Sequence, residues 1–260
     1  ISNGRFLTQT NAQMLNKNKV RHAQISIDGL KEYYMSQKQA TSVDFEQTIS
    51  NIINASNYLS ISVRINVKDS IDEAIAFTDY LLKERGLDGK IKIYIAHTRD
   101  YDKDYSAVEE QKAHGKFLDM EGQYISLFGK NGKYNKKSFE YKIPKRRGAS
   151  CFSSCCANSC IGPKGEFYQC EHHFGIKQSI IGTIDDGIYN NENKRKYLKF
   201  NHYSKCLHCQ FFPVCLGGCI DDRVNNKKVI NCKKYKKRLI DLIMYNIKNK
   251  KRRCIILWNL

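Results

Sequence analysis

Seven of the eleven cysteines stand in one ordered series, and no other feature of the 260 residues narrows the fold so far. Cys151 is followed after thirteen residues by Gly165 and, four residues further on, by Cys170. Next comes Cys206-Leu-His-Cys209-Gln-Phe-Phe-Pro-Val-Cys215-Leu-Gly-Gly-Cys219, a C-x2-C-x5-C-x3-C run, and Cys232 closes the series. Thiols at this density are either oxidised in pairs or bound to metal, and the compartment decides between the two. The N-terminus has no apolar secretion core, and no run of eighteen apolar residues spans a membrane, so a cytoplasmic chain with reduced thiols is expected. Metal then divides between zinc and iron–sulfur. Zinc sites usually pair one C-x2-C knuckle with another, and only one is present. Seven thiolates nearly fill two four-ligand clusters, and Gly217-Gly218 lets the backbone turn sharply beside Cys219. The spacing favours iron–sulfur, with structural zinc as the competing reading.

The first 98 residues alternate between two periodicities. His22–Asp28 places Ala23, Ile25 and Ile27 on one face and Gln24, Ser26 and Asp28 on the other, a strand pattern. Phe45, Ile49, Ile52 and Ile53 recur at helical spacing across Val43–Ser56, with Ser42 as the expected N-cap. Ser60–Val67 alternates again, Ile61, Val63, Ile65 and Val67 against Ser62, Arg64 and Asn66. Ser70-Ile-Asp-Glu73 reads as a capping box opening a helix that stops at Gly86, and Ile91–His97 is a third strand. This order predicts parallel strand–helix–strand units in an α/β fold. Parallel strands covered by helices are usually apolar on both faces. The polar rows Gln24, Ser26, Asp28 and Ser62, Arg64, Asn66 therefore point to a barrel interior that holds a polar ligand, or else to an antiparallel sheet with one wet face.

Beyond residue 98 the pattern is weaker. Helical patches are expected at Ala107–His114 and Leu118–Phe128, then a basic loop at Asn131–Arg147. From Cys151 the texture changes to short strands and turns. Ile161–Cys170 reads as a hairpin turning at Pro163-Lys164-Gly165, and Lys233–Lys250 as a basic helix with Leu239, Leu242, Ile243 and Ile247 on one stripe. The net charge of +18 concentrates in Lys145–Arg147, Lys194–Lys199 and the tail. Attraction to a polyanion is one reading; a solvated surface is the plainer one. No helix-turn-helix or aromatic single-strand platform supports nucleic-acid binding.

The cysteine series, Cys-x13-Gly-x4-Cys, then Cys-x2-Cys-x5-Cys-x3-Cys, then Cys, resembles the SPASM domain, the C-terminal twin-cluster module of radical S-adenosylmethionine enzymes that modify peptides and proteins. The stretches Ile161-Gly-Pro-Lys-Gly-Glu-Phe-Tyr-Gln-Cys170, Ile181-Gly-Thr-Ile with Gly187, and Pro213-Val-Cys215-Leu-Gly-Gly-Cys219 extend the likeness. In the first half, Ser2-Asn3-Gly4, Gln24-Ile-Ser-Ile-Asp-Gly29 and Val63-Arg-Ile-Asn-Val67 resemble the third, fourth and fifth strands of that family's barrel. The resemblance implies a partial (β/α) radical S-adenosylmethionine barrel over 1–148, a SPASM iron–sulfur domain over 149–235 and a basic tail over 236–260.

Residue by residue, it implies that Cys206, Cys209, Cys215 and Cys232 bind one auxiliary [4Fe-4S] cluster and that Cys151, Cys170 and Cys219 bind the other. A fourth ligand to the latter is Cys155 or Cys156, or the position is open to substrate; Cys160 is expected in the core. Ser26 and Asp28 match positions near the cofactor's ribose and Arg64 one that meets its carboxylate, with a structural ion pair as the alternative for Arg64. Glu171 stands where some relatives carry a catalytic base, though a surface glutamate is the plainer reading. The family's catalytic cluster needs a C-x3-C-x2-C, which is missing: Cys151-x3-Cys155 and Cys156-x3-Cys160 both lack the third cysteine. The expectation is a radical S-adenosylmethionine peptide or protein maturase that lacks its first two barrel strands and is inactive by itself. With the missing part it would form a 5′-deoxyadenosyl radical on S-adenosylmethionine and a third cluster, drawing electrons from a flavodoxin or ferredoxin. Crosslinking of a ribosomal peptide, for example by thioethers, is the first substrate class and an anaerobic sulfatase the second. The alternative is a non-catalytic iron–sulfur binding or electron-transfer protein.

Overall fold

The computed structural model describes residues 1–98, 107–125, 127–128, 134–139, 149, 151–198, 204–224, 236 and 239–240. The chain divides into two compact units, Ile1–Lys142 and Ile143–Leu260.

The first unit is built on a three-stranded parallel sheet, β1 (His22–Ser26), β2 (Ser60–Val67) and β3 (Ile91–His97), in that order. Parallel pairing excludes the antiparallel sheet considered as the alternative. Both flanks of the sheet are hydrogen-bonded further: Ser2 bridges Ile25, and Phe139 bridges Ile93, again in parallel. Helix α1 (Gln9–Lys17) precedes β1, α2 (Lys31–Lys38) and α3 (Ser42–Ala55) lie between β1 and β2, α4 (Asp72–Asp79) lies between β2 and β3, and α5 (Ala107–Ile125) follows β3. No sequence pattern marks α1 and α2, which are polar along most of their length and bury only Ala12 and Tyr34.

Local chemistry corrects three expected boundaries. The N-cap of α3 is Thr41, one residue before Ser42: its hydroxyl accepts from the Asp44 N–H while the Asp44 carboxylate accepts from the Thr41 N–H at 2.9 Å. The Ser70 capping box does not form. The Glu73 carboxylate accepts instead from the Leu30 N–H at 2.6 Å, so a residue expected to cap α4 holds the loop after β1. That helix widens into a π turn at Tyr80–Glu84 before Gly86, at φ +64°. Finally, the two patches beyond residue 106 are one helix, α5, running through His114 and Gly115.

Packing follows the alternation. Ile61, Val63, Ile65 and Val67 of β2 are buried with Ile25, Ile93 and Ile95 of its neighbours, against Phe45, Ile49 and Ile52 of α3 and Phe77 of α4. Each such side chain contributes roughly 1.5–3 kcal/mol by leaving water. Two aromatic groups anchor this core. Phe45, Phe77 and Tyr80 lie with centroids 6.1–6.4 Å apart. Phe128 stacks on Phe139 at 5.7 Å, with Tyr124 beside both.

The second unit is a four-stranded antiparallel sheet with short helices. Its strands are β4 (Cys160–Ile161), β5 (Glu166–Tyr168), β6 (Ile180–Thr183) and β7 (Gly187–Ile188), paired in sequence order. The expected hairpin is present, turning through Gly165 at φ +84°. The helices are α6 (Asn191–Leu198), α7 (Ser204–Leu207), α8 (Phe212–Cys215) and α9 (Ile220–Val224). Of the expected tail helix, only 236 and 239–240 are among the described residues. Cys232, Cys254 and most of the Asn131–Arg147 loop lie outside them. No helix among the described residues is long and apolar enough to cross a membrane.

Candidate metal centre and cofactor face

In the first unit the polar residues gather at the carboxyl ends of β1 and β2. Ser26 and Arg64 are register partners across the two strands and project from the same face. Asp28, 8% exposed, follows β1 and is fixed from three sides. Its Oδ1 accepts from the Asn66 N–H at 3.1 Å and from the Asn66 side-chain amide at 2.7 Å, and its Oδ2 pairs with Lys38 at 3.0 Å. Arg64 Nε donates to Asn66 Oδ1 at 3.0 Å, and no carboxylate among the described residues pairs with the guanidinium. Among the described residues Arg64 makes no structural ion pair, and its Nε is engaged by Asn66. Along the same face, Tyr94 donates to Gln24 at 2.7 Å, and the His22 ring shares a hydrogen bond with Ser62 at 3.0 Å. The sequence marked the polar rows. It did not mark Lys38 or Tyr94, which reach the row from α2 and β3.

In the second unit the nine cysteines among the described residues are all free thiols. Cys170 is the second residue after β5 and is 5% exposed. Burial pushes its thiol up, opposed by hydrogen bonds to the sulfur from the His172 N–H and the Ser153 hydroxyl, and raised further by the nearby charges of Asp221 and Cys219. Ser153 sits in the turn that opens at Cys151, and that turn is secured from below by Gln169, whose amide donates to the Ser153 carbonyl at 2.7 Å. Cys160 stands opposite Tyr168 across the hairpin. It is half-buried on the strand, not in the core as the sequence suggested, and its thiol is pushed up to about 11, chiefly by burial and then by Glu171, Cys170 and Cys151. Cys160 is thus close enough to feel the charges of Cys170 and Cys151, and Cys170 that of Cys219. Cys155 directs its thiol to the Cys151 carbonyl at 3.9 Å, and Cys156 is exposed. Glu171 is exposed at the start of the turn after Cys170.

The remaining ligand candidates follow one compact path. Cys206 is buried in α7, the Cys209 N–H donates to its carbonyl at 3.1 Å, and α8 with Pro213 in its first turn ends at Cys215. Leu216, Gly217 and Gly218 then take left-handed conformations in succession, φ +46°, +77° and +83°, which return the chain for Cys219. A Cβ on Gly217 would come 2.4 Å from the guanidinium of Arg223, itself 5% exposed and donating to the Leu216 carbonyl at 3.2 Å. The sharp turn expected at Gly217-Gly218 is formed, and it brings the backbone against the buried guanidinium of Arg223.

Among the described residues no three His, Cys, Asp or Glu side chains converge tightly enough for a single ion. A tetrahedral ion needs all its sulfurs at about 2.3 Å, whereas an iron–sulfur cube spreads its thiolates over separate irons and so asks for a wider ring. Donor chemistry fits the larger group: several thiols, N–H and O–H donors on the Cys170 sulfur, and a buried guanidinium to offset negative charge.

The sequence matches no protein-family model and no curated protein. The fold, in contrast, has solved counterparts. SuiB from Streptococcus suis is similar over 88% of this chain, with a TM-score of 0.51 and 16% identity. A second structure of SuiB, bound to S-adenosylmethionine, gives the same coverage and TM-score at 14% identity. The chain spans 56–57% of the length of those proteins. At such identity the likeness shows the fold: a mixed α/β architecture around a parallel sheet.

Proposed function

We propose that this chain is the larger part of a radical S-adenosylmethionine enzyme that modifies a peptide or protein. The carrying observation is the ordered cysteine series, Cys151 to Cys232, joined to a parallel α/β unit whose fold is shared with a protein solved with S-adenosylmethionine. In this reading Cys206, Cys209, Cys215 and Cys232 hold one auxiliary cluster. Cys151, Cys170 and Cys219 hold the other, completed by Cys155 or Cys156. Arg64 directs its fork at the carboxylate of S-adenosylmethionine, and Ser26 with the end of β1 at Asp28 meets the ribose. Asp28 is engaged by Asn66 and Lys38, so its part is to fix the loop and the Asn66–Arg64 pair as much as to touch the ligand. When bound, S-adenosylmethionine supplies a hydrogen-abstracting radical and the clusters carry electrons or anchor substrate. Glu171, exposed beside Cys170, is placed to take a proton from substrate there.

The substrate class is a ribosomal peptide, crosslinked for example through thioethers, with a sulfatase as the second class, and the electron donor is a flavodoxin or ferredoxin. The 260 residues contain no C-x3-C-x2-C, and that observation favours a second reading, a non-catalytic iron–sulfur binding or electron-transfer protein. Both readings need the clusters. Anaerobic reconstitution of the full chain is expected to load about eight irons with matching sulfide, four per cluster, and a visible absorbance that dithionite bleaches. Stoichiometric zinc with no such absorbance would remove the basis for both.

A further inference from the structure

Cys170 and Cys219 are far apart in sequence, yet the segments that carry them meet at a buried polar junction outside the cysteine series. Asp221, 3% exposed, accepts on one oxygen from Tyr197 Oη at 2.7 Å, and the same oxygen lies 2.8 Å from His173 Nε2. His173 closes the turn that opens at Cys170, its N–H donating to the Cys170 carbonyl at 3.1 Å. Asp221 is the second residue of α9, which begins directly after Cys219. Tyr197 arrives from α6 and packs its ring with Cys170 and Ile220. Three segments thus converge on one carboxylate, and a carboxylate this deep is tolerated only because donors surround it.

A surface ion pair would explain none of this. Asp221 and Tyr197 are buried, His173 and Asp221 stand shortly after Cys170 and Cys219, and Asp221 is among the charges that raise the Cys170 thiol. We infer that Asp221, with His173 and Tyr197, positions Cys170 and Cys219 for a common iron–sulfur cluster and sets how readily that cluster accepts an electron. The inference rests on the cluster reading given above. Its physics is short. A buried negative charge beside a cluster opposes the arrival of an electron, and little solvent is present to screen it. The Tyr197 O–H, donated to that carboxylate, weakens the opposition. Removing the charge and removing the hydroxyl should therefore act in opposite directions.

The test uses the full chain, reconstituted with iron and sulfide, as wild type and as Asp221→Asn and Tyr197→Phe, with redox titration followed by electron paramagnetic resonance. Both substitutions nearly conserve shape, and the signal of the cluster assigned to Cys206, Cys209, Cys215 and Cys232 reports whether the unit is still folded. Asp221→Asn is expected to raise the midpoint potential of one cluster, Tyr197→Phe to lower it, and neither to move the other cluster. Asp221→Ala, which also removes the hydrogen-bond acceptor, should lower iron from about eight to about four per chain. Potentials that stay put in a fully loaded protein, or that shift the same way in both variants, would overturn the role of the junction alone. A wild-type chain that takes up no cluster would overturn the cluster reading and the junction with it.

Discussion

Ile1–Lys142 buries Ile25, Val63, Ile65, Phe45, Phe77, Leu81 and many others in one continuous apolar cluster, while the described residues of Ile143–Leu260 bring together Cys170, Tyr197 and Ile220, with Val224 alongside. Strands differ in the same sense: β2 and β3 run for eight and seven residues, β4 and β7 for two each. The first unit is held by hydrocarbon leaving water, with its polar row added on one face. In the second, the buried apolar residues are few, Tyr168, Ile181, Tyr197 and Ile220, and two candidate metal ligands, Cys170 and Cys206, are buried as well. A unit with so small an apolar core usually draws further stability from crosslinks or metal, which the proposed clusters would supply here. In one unit, core and site are separate; in the other, they share Cys170 and Cys206.

Three experiments bear on that contrast. The largest effect is expected from stripping iron from the reconstituted chain with a chelator. Hydrogen-exchange protection of β4–β7 should collapse while that of β1–β3 stays, and protection retained throughout would break the contrast. Next, Phe77→Ala should cost about 3–5 kcal/mol of the first unit's stability in a urea titration, without lowering iron content. A fall in iron would show that the second unit leans on the first. The smallest change, Arg64→Ala, should weaken S-adenosylmethionine binding by about 1.5–3 kcal/mol, roughly ten- to hundredfold in Kd, and leave the urea midpoint where it was. Equal losses of binding and stability would mean that the first unit, too, merges site with core.

The legible parts of this protein are those where side-chain period carries the information. The three strands of the parallel sheet and the α3 helix follow from alternation and from the spacing of Phe45, Ile49 and Ile52, because each buries one clean face. Capping was less legible. Ser70 and Glu73 have the right spacing for a box, but Glu73 finds a better partner in the Leu30 N–H, a contact forty-three residues away that no local pattern encodes. The short helices α1 and α2 were silent because they bury one residue each. At the proposed cofactor face, Ser26, Asp28 and Arg64 are marked by their polar rows, but the engagement of Asp28 and Arg64 by Asn66, and of Asp28 by Lys38, is not. The Asp221–His173–Tyr197 junction had no signal at all, since it joins three segments whose only shared property is where the chain folds back.

Every neighbour in the first sheet, including the bridges at Ser2 and Phe139, runs in the same direction. All carboxyl ends of the strands therefore open at one rim, where Asp28 and Asn66 stand and where the Thr98 N–H donates to the Val67 carbonyl at 3.0 Å. Among the described residues, the opposite rim carries the turns at 18–21, 56–59 and 85–90 that return the chain to the strands. Such a division separates inheritance from invention: loops at the first rim can be lengthened, shortened or rewritten to suit another substrate, while the strands beneath keep their register and their hydrocarbon. A designer seeking new specificity in this scaffold would begin with the segment between Asp28 and Lys31 and leave the rest of the sheet untouched.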